Sequence, residues 1–168
     1  RARARGATRR LGVCLPARGA PPAYIALVAS RTVSGRESPE FVRALDDLRR
    51  ARLRAEVRLT EVPAPQRIAP YAVALTADVV DPGDADADLA SGRFVLLHDP
   101  AAPEPWGGPW RAVTFVRAAL EPEFASDPLL GEVGWTWLTD ALAARGVGYV
   151  AEAGTVTRVV SESFAGLA

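Results

Sequence analysis

The sequence predicts an α+β domain: a mostly antiparallel sheet of about six strands with two helices, in the order α-β-β-β-β-α-β-β. Three observations carry that reading. Ser-Pro and Asp-Pro openings at Ser38 and Asp127 each precede an apolar repeat at helical spacing. Between and after them lie short alternating or β-branched runs. The links between consecutive runs are too short for crossover helices, which favours antiparallel pairing. A length of 168 residues with 49% hydrophobic and 24% charged residues suits one folded domain with its own core.

The first helix is predicted over about 39–53. Ser38 supplies a hydroxyl cap, Pro39 suits the first helical position, and Glu40 sits at the positive end of the dipole. Phe41, Leu45, Leu48 and Ala51 then recur on one face, with Arg43, Asp46, Asp47, Arg49 and Arg50 on the other. A strand follows at 56–62, where Val57 and Leu59 alternate with Arg58 and Thr60. The run from Pro63 to Pro70 holds three prolines that cannot donate to a ladder, so it is a loop. Strands are predicted at 71–80, closed by Asp81-Pro82-Gly83, and at 93–98 and 110–118. The stretch 99–109 between the last two has four prolines and two adjacent glycines and is a loop.

A second helix is predicted over 128–145, stopping at Gly146. Its stripe of Leu130, Val133, Trp137, Ala141 and Ala144 is broadened by Leu138 and Leu142, which predicts a well-buried helix. Two last strands, 148–153 and 155–163, would turn tightly at Gly154. Two helices cover one face of such a sheet, so part of the other face is left for a partner, and a homodimer would cover it.

Composition adds bounds. There is no Lys, Asn or Met, and all 20 basic residues are Arg. That skew fits a very GC-rich genome, so the choice of Arg is not by itself a phosphate-binding signal. Residues 1–36 hold eight Arg and no acid, against twelve Arg and twenty acids in 37–168, a formal −8. An acidic domain is repelled by phosphate backbones except where Arg clusters. Prolines 16, 21 and 22 and Arg18 break any apolar run that an export signal would need. The first 36 residues are therefore expected to be a disordered basic extension outside the native domain, which the absence of an initiating Met supports. Removing them is expected to leave the melting temperature unchanged, and a loss of several degrees would contradict this. No apolar run approaches the ~18 residues of a membrane span.

Three segments stand out: Leu59–Tyr71 (LTEVPAPQRIAPY), Ser91–Pro100 (SGRFVLLHDP) and Asp127–Leu138 (DPLLGEVGWTWL). Together they resemble the actinobacterial family known as domain of unknown function three thousand, over about residues 39–168. The resemblance implies a bacterial, cytoplasmic protein and brings no activity, cofactor or catalytic residue with it.

Known chemistries are poorly supplied. His98 and Cys14 are the sole His and Cys, so structural zinc has no ligand set. Asp84-Ala-Asp86-Ala-Asp88 begins like a calcium loop but has Leu89 where Gly is needed and Val95 where Glu is needed, so it reads as an acidic turn. There is no G-x-G-x-x-G, no G-x-S-x-G, and without Lys no P-loop. No cofactor is expected. Candidate binding residues remain. His98-Asp99 ends a strand, where imidazole can act as acid or base, or cap the strand by bonding to loop backbone. Glu121 and Glu123 would point the same way if extended and could work with His98. Arg67, near Glu61 and Tyr71, is expected to form a buried ion pair that pins the proline-rich loop, or to hold an anion. Trp106, in Trp106-Gly-Gly-Pro-Trp110, and Trp135 are candidate interface anchors.

The leading expectation is a non-enzymatic protein-interaction module, a homodimer included. Two alternatives stand beside it: a small acid/base hydrolase using His98 with Glu121 or Glu123, and an RNA-associated factor using Arg67, Arg93, Arg111 and Arg117.

Overall fold

A computed structural model describes residues 38–81, 83–124 and 126–161. The basic extension, Cys14 and the last two residues of the final predicted strand lie outside the described residues. Ser38 caps helix α1 (Pro39–Arg50), its Oγ accepting the Phe41 N–H at 3.3 Å, with Pro39 in the first turn. Strands β1 (Val57–Val62), β2 (Tyr71–Asp81), β3 (Asp84–His98) and β4 (Trp110–Ala118) follow. Helix α2 (Leu130–Ala143) comes last, with 3-10 turns at Glu104–Trp106 and Pro122–Phe124. The strands form one antiparallel sheet in sequential order, β1-β2-β3-β4.

Side chains alternate across the sheet, so the register defines its two faces. One face carries Leu59, Tyr71, Val73, Leu75, Phe94, Leu96, His98 and Trp110. Helix α1 lies on it: buried Phe41 joins Val73 and Leu75, with Leu45 and Leu48 packed beside them. The polar side of α1 makes ion pairs at Arg49–Asp46 (2.8 Å), half-buried, and Arg50–Asp47 (2.6 Å), open to water, each joining residues one helical turn apart. Pairs of this kind are worth only about 0.3–0.5 kcal/mol each, so the apolar side holds the helix down. The opposite face carries Thr76, Arg93, Arg111, Phe115 and Arg117, with Ala74 and Leu97 buried among them.

Four expectations need correction. The sheet has four strands rather than about six, because 147–161 pairs with no strand among the described residues. Instead this segment runs along α2. A Cβ on Gly154 would collide with the Trp135 ring, Gly134 faces the Val156 methyls, and Arg158 Nη1 donates to the Asp127 carbonyl at 2.8 Å. Gly154 therefore allows a close approach to an indole and makes no hairpin turn.

The acidic run 84–88 is not a turn. It is the start of β3, and its alternation of Asp with Ala is strand periodicity. The chain reverses between Asp81 and Asp84, where the Asp81 carboxylate accepts the Gly83 N–H at 2.8 Å, and the ladder shifts register on either side of Val80. Glu121 and Glu123 lie around a 3-10 turn and not in an extended segment, so they do not share a direction.

Helix α2 starts after an Asp127 turn in which Oδ1 accepts the Leu129 N–H. It ends where sequence places its stop: Gly146 takes φ +63°, with Gly146 N–H to Ala143 O and Val147 N–H to Leu142 O closing the helix end. Yet α2 is not buried. Leu130 is covered, whereas Trp137 is 63% exposed and Leu138 also faces water. With one sheet face taken by α1, the breadth of its apolar surface is left open. No helix among the described residues is long and apolar enough to cross a membrane.

Candidate functional site

His98 closes β3 and is fully buried beneath the start of α1. Its Nδ1 lies 3.2 Å from the Pro109 carbonyl, which can only accept, so Nδ1 carries the hydrogen. Nε2 then accepts from Ser38 Oγ at 3.2 Å, with Glu40 Oε2 at 3.6 Å. The ring stacks on Trp110 at a centroid distance of 4.0 Å and lies parallel to Phe41 at 6.3 Å, with Tyr71 tilted at 5.7 Å. A hydroxyl, an imidazole and an orienting carbonyl in line form the skeleton of a nucleophile–base pair. Here, however, the Ser38 oxygen is also the cap of α1, and the imidazole is enclosed between aromatic rings with no surface open to a substrate. The cluster ties the helix start to the β3–β4 end of the sheet.

Of the other predicted residues, Tyr71 joins the cluster and Asp99 shares its Pro109 carbonyl, and the rest do not converge on it. His98 pairs with Trp110 at one end of β4, while Ala118 ends the strand about 26 Å away at ~3.3 Å per residue. Glu121 and Glu123 lie beyond that far end, exposed. The pairing of His98 with either glutamate is thereby overturned. Asp99 starts a turn: its carboxylate accepts the Ala101 N–H at 2.9 Å and its own N–H bonds Pro109 O at 2.8 Å. Glu61 lies on β1 opposite Leu75, on the α1-covered face, and Tyr71 belongs to the aromatic cluster. Arg67 is exposed in the proline-rich loop, so it makes no buried ion pair; in water the guanidinium avoids a desolvation cost of several kcal/mol. Trp106 is half-buried in its 3-10 turn and Trp135 lies against Gly154. Sequence reasoning identified the Ser38 cap and His98 but not their contact, which spans 60 positions.

Arg93, Arg111 and Arg117 share the face away from α1. Arg93 donates to the Pro63 carbonyl and Arg111 to the Pro105 carbonyl, each at 3.3 Å, which pins the two proline-rich loops. Among the described residues no cluster of His, Cys, Asp or Glu is arranged to hold a metal ion.

An open apolar surface lies along β4. Among the described residues this nine-residue strand is an edge, bonded to β3 on one side only. It exposes side chains on both faces: Val113 and Phe115 on one, at 47% and 63%, and Val116 on the other, at 67%. Leu120, just past the strand, is exposed as well, and on α2 Trp137 and Leu138 are open. Clustered exposure of this kind marks contact surfaces. Sequence analysis found this strand but gave no sign that it would be an edge, since strand order is not a local property.

No curated protein and no solved structure matches the chain. Residues 37–168, which include every described element, match the family described as Protein of unknown function (DUF3000), and the chain belongs to that family.

Proposed function

We propose that this chain is a protein-interaction module with no catalytic centre of its own, working in the bacterial cytoplasm. The observation that carries the reading is the β4 edge, a nine-residue strand with one side unbonded among the described residues and with exposed Val113, Phe115 and Val116. Strand edges of this length are ordinarily blunted by charge, proline or a bulge. The β3–β4 ladder runs without a register shift, β4 contains no proline, and its two charges, Arg111 and Arg117, stand toward its ends with none between them. Burial of His98 and its separation from Glu121 and Glu123 also favour binding over hydrolysis.

The test is affinity capture with the full chain and with Phe115→Lys, whose added charge blunts the edge. Binding to self or to another protein should be lost in a variant whose circular dichroism still shows the wild-type fold. Equal capture by both, or by neither, would reject the reading. A second reading, RNA association, draws on the shared face of Arg93, Arg111 and Arg117. It predicts binding that weakens steeply with salt, whereas two of these three side chains already serve backbone carbonyls.

A further inference from the structure

We infer that the partner of the β4 edge is a second copy of this chain, joined β4 to β4 in antiparallel fashion with Phe115 on the two-fold axis. The inference rests on the binding-module reading above and adds the identity and register of the partner.

The backbone determines which groups are available. Asp99 N–H bonds the Pro109 carbonyl, which makes His98–Trp110 a pair without mutual hydrogen bonds. Alternation along β4 then points the N–H and C=O groups of Ala112, Thr114, Val116 and Ala118 away from β3. Those of Val113, Phe115 and Arg117 point towards it. An incoming strand must therefore bond the even-numbered residues. To keep the faces of the sheet continuous it must also pair even with even and odd with odd.

Charge selects among the registers that remain. Centring the axis on Thr114 gives the longest overlap but sets Arg111 directly opposite Arg117 twice, and centring it on Arg117 opposes that residue to itself. Like charges directly opposite are destabilising. Centring it on Phe115 sets Arg117 opposite Val113 and leaves Arg111 beyond the strand's paired core, with its guanidinium turned to Pro105 O. Ala112 faces Ala118, Thr114 faces Val116, and the two Phe115 rings meet in a pair without mutual hydrogen bonds, the closer of the two spacings. This retains seven residues of each strand (112–118). Centring on Val113 also pairs seven residues (110–116), but it draws Arg111 into the paired core opposite Phe115 and away from Pro105 O. Centring on Val116 would cut the overlap to five.

The antiparallel pairing is also self-limiting. Two four-stranded sheets become one of eight, with both β4 edges used and the six-residue β1 strands outermost. β1 leads into the Pro63-Ala64-Pro65 segment, which a further copy could extend poorly. An isologous contact of this kind ends at the dimer.

The experiment combines light scattering on the full chain with cysteine scanning in a Cys14→Ser background. Wild type should have about twice the 17.8 kDa chain mass. Phe115→Cys should form an intermolecular disulfide, since Cα atoms in such a pair lie ~4.5 Å apart, while Val113→Cys and Thr114→Cys should not. Cross-linking through Thr114→Cys in place of Phe115→Cys would overturn the register. A monomer that still captures another protein in a Phe115-dependent way would overturn the homodimer and leave the binding-module reading standing. A monomer with no such capture would remove both.

Discussion

Replacing His98 with alanine is expected to cost about 3–4 kcal/mol of stability, with a fall in melting temperature of roughly 10 °C. Two effects combine. The first is a cavity among Phe41, Tyr71 and Trp110, whose rings surround the imidazole. The second is loss of the bonds to Ser38 Oγ and Pro109 O, which leaves polar groups at a buried position short of partners. His98→Phe fills most of the cavity but restores neither bond, so its cost should be smaller, about 2 kcal/mol. Ser38→Ala removes the helix cap and one imidazole partner together, at about 1–2 kcal/mol. In the double variant the effects should fall short of additive, because the two side chains share one contact. Chemical denaturation of the four proteins checks this set. An unchanged His98→Ala variant would mean that the cluster does not hold α1 to the sheet.

Gly92→Ala is expected to be the more disruptive change for function, although it adds only one methyl. A Cβ at this position would come within 2.7 Å of the Phe115 carbonyl oxygen, a backbone atom that cannot swing aside. Strands β3 and β4 must separate locally to admit it, at a cost of about 2–3 kcal/mol. The displacement falls on the middle of β4, opposite Val116 in the ladder. The variant should therefore lose self-association and show weakened β4 protection while α1 and the β1–β2 pairing persist. Paired measurements of mass and unfolding check it, and wild-type values for both would show that β3 and β4 do not approach so closely.

Much of this architecture is legible locally. The cap at Ser38, the proline-rich loops at 63–70 and 99–109, the strand at 110–118 and the stop at Gly146 follow from residues within a few positions of each feature. What was misread depends on distant partners. Apolar residues around most of α2 predict burial, but the helix leaves Trp137 and Leu138 open. Gly154 carries the composition of a turn and in fact makes room for Trp135. Asp84, Asp86 and Asp88 suggested a turn by charge, yet their spacing of two was already that of a strand. The partners of His98 lie 60 positions back and 11 ahead, in Ser38 and Pro109, and no local pattern joins them.

Residue-resolved amide hydrogen exchange along β4 tests the central claim most directly. At concentrations where the chain is associated, the outward amides of Thr114 and Val116 should be protected as strongly as the inward amides of Val113 and Phe115. On dilution the outward pair should lose that protection while the inward pair keeps it. Outward amides that exchange freely at every concentration would contradict the account.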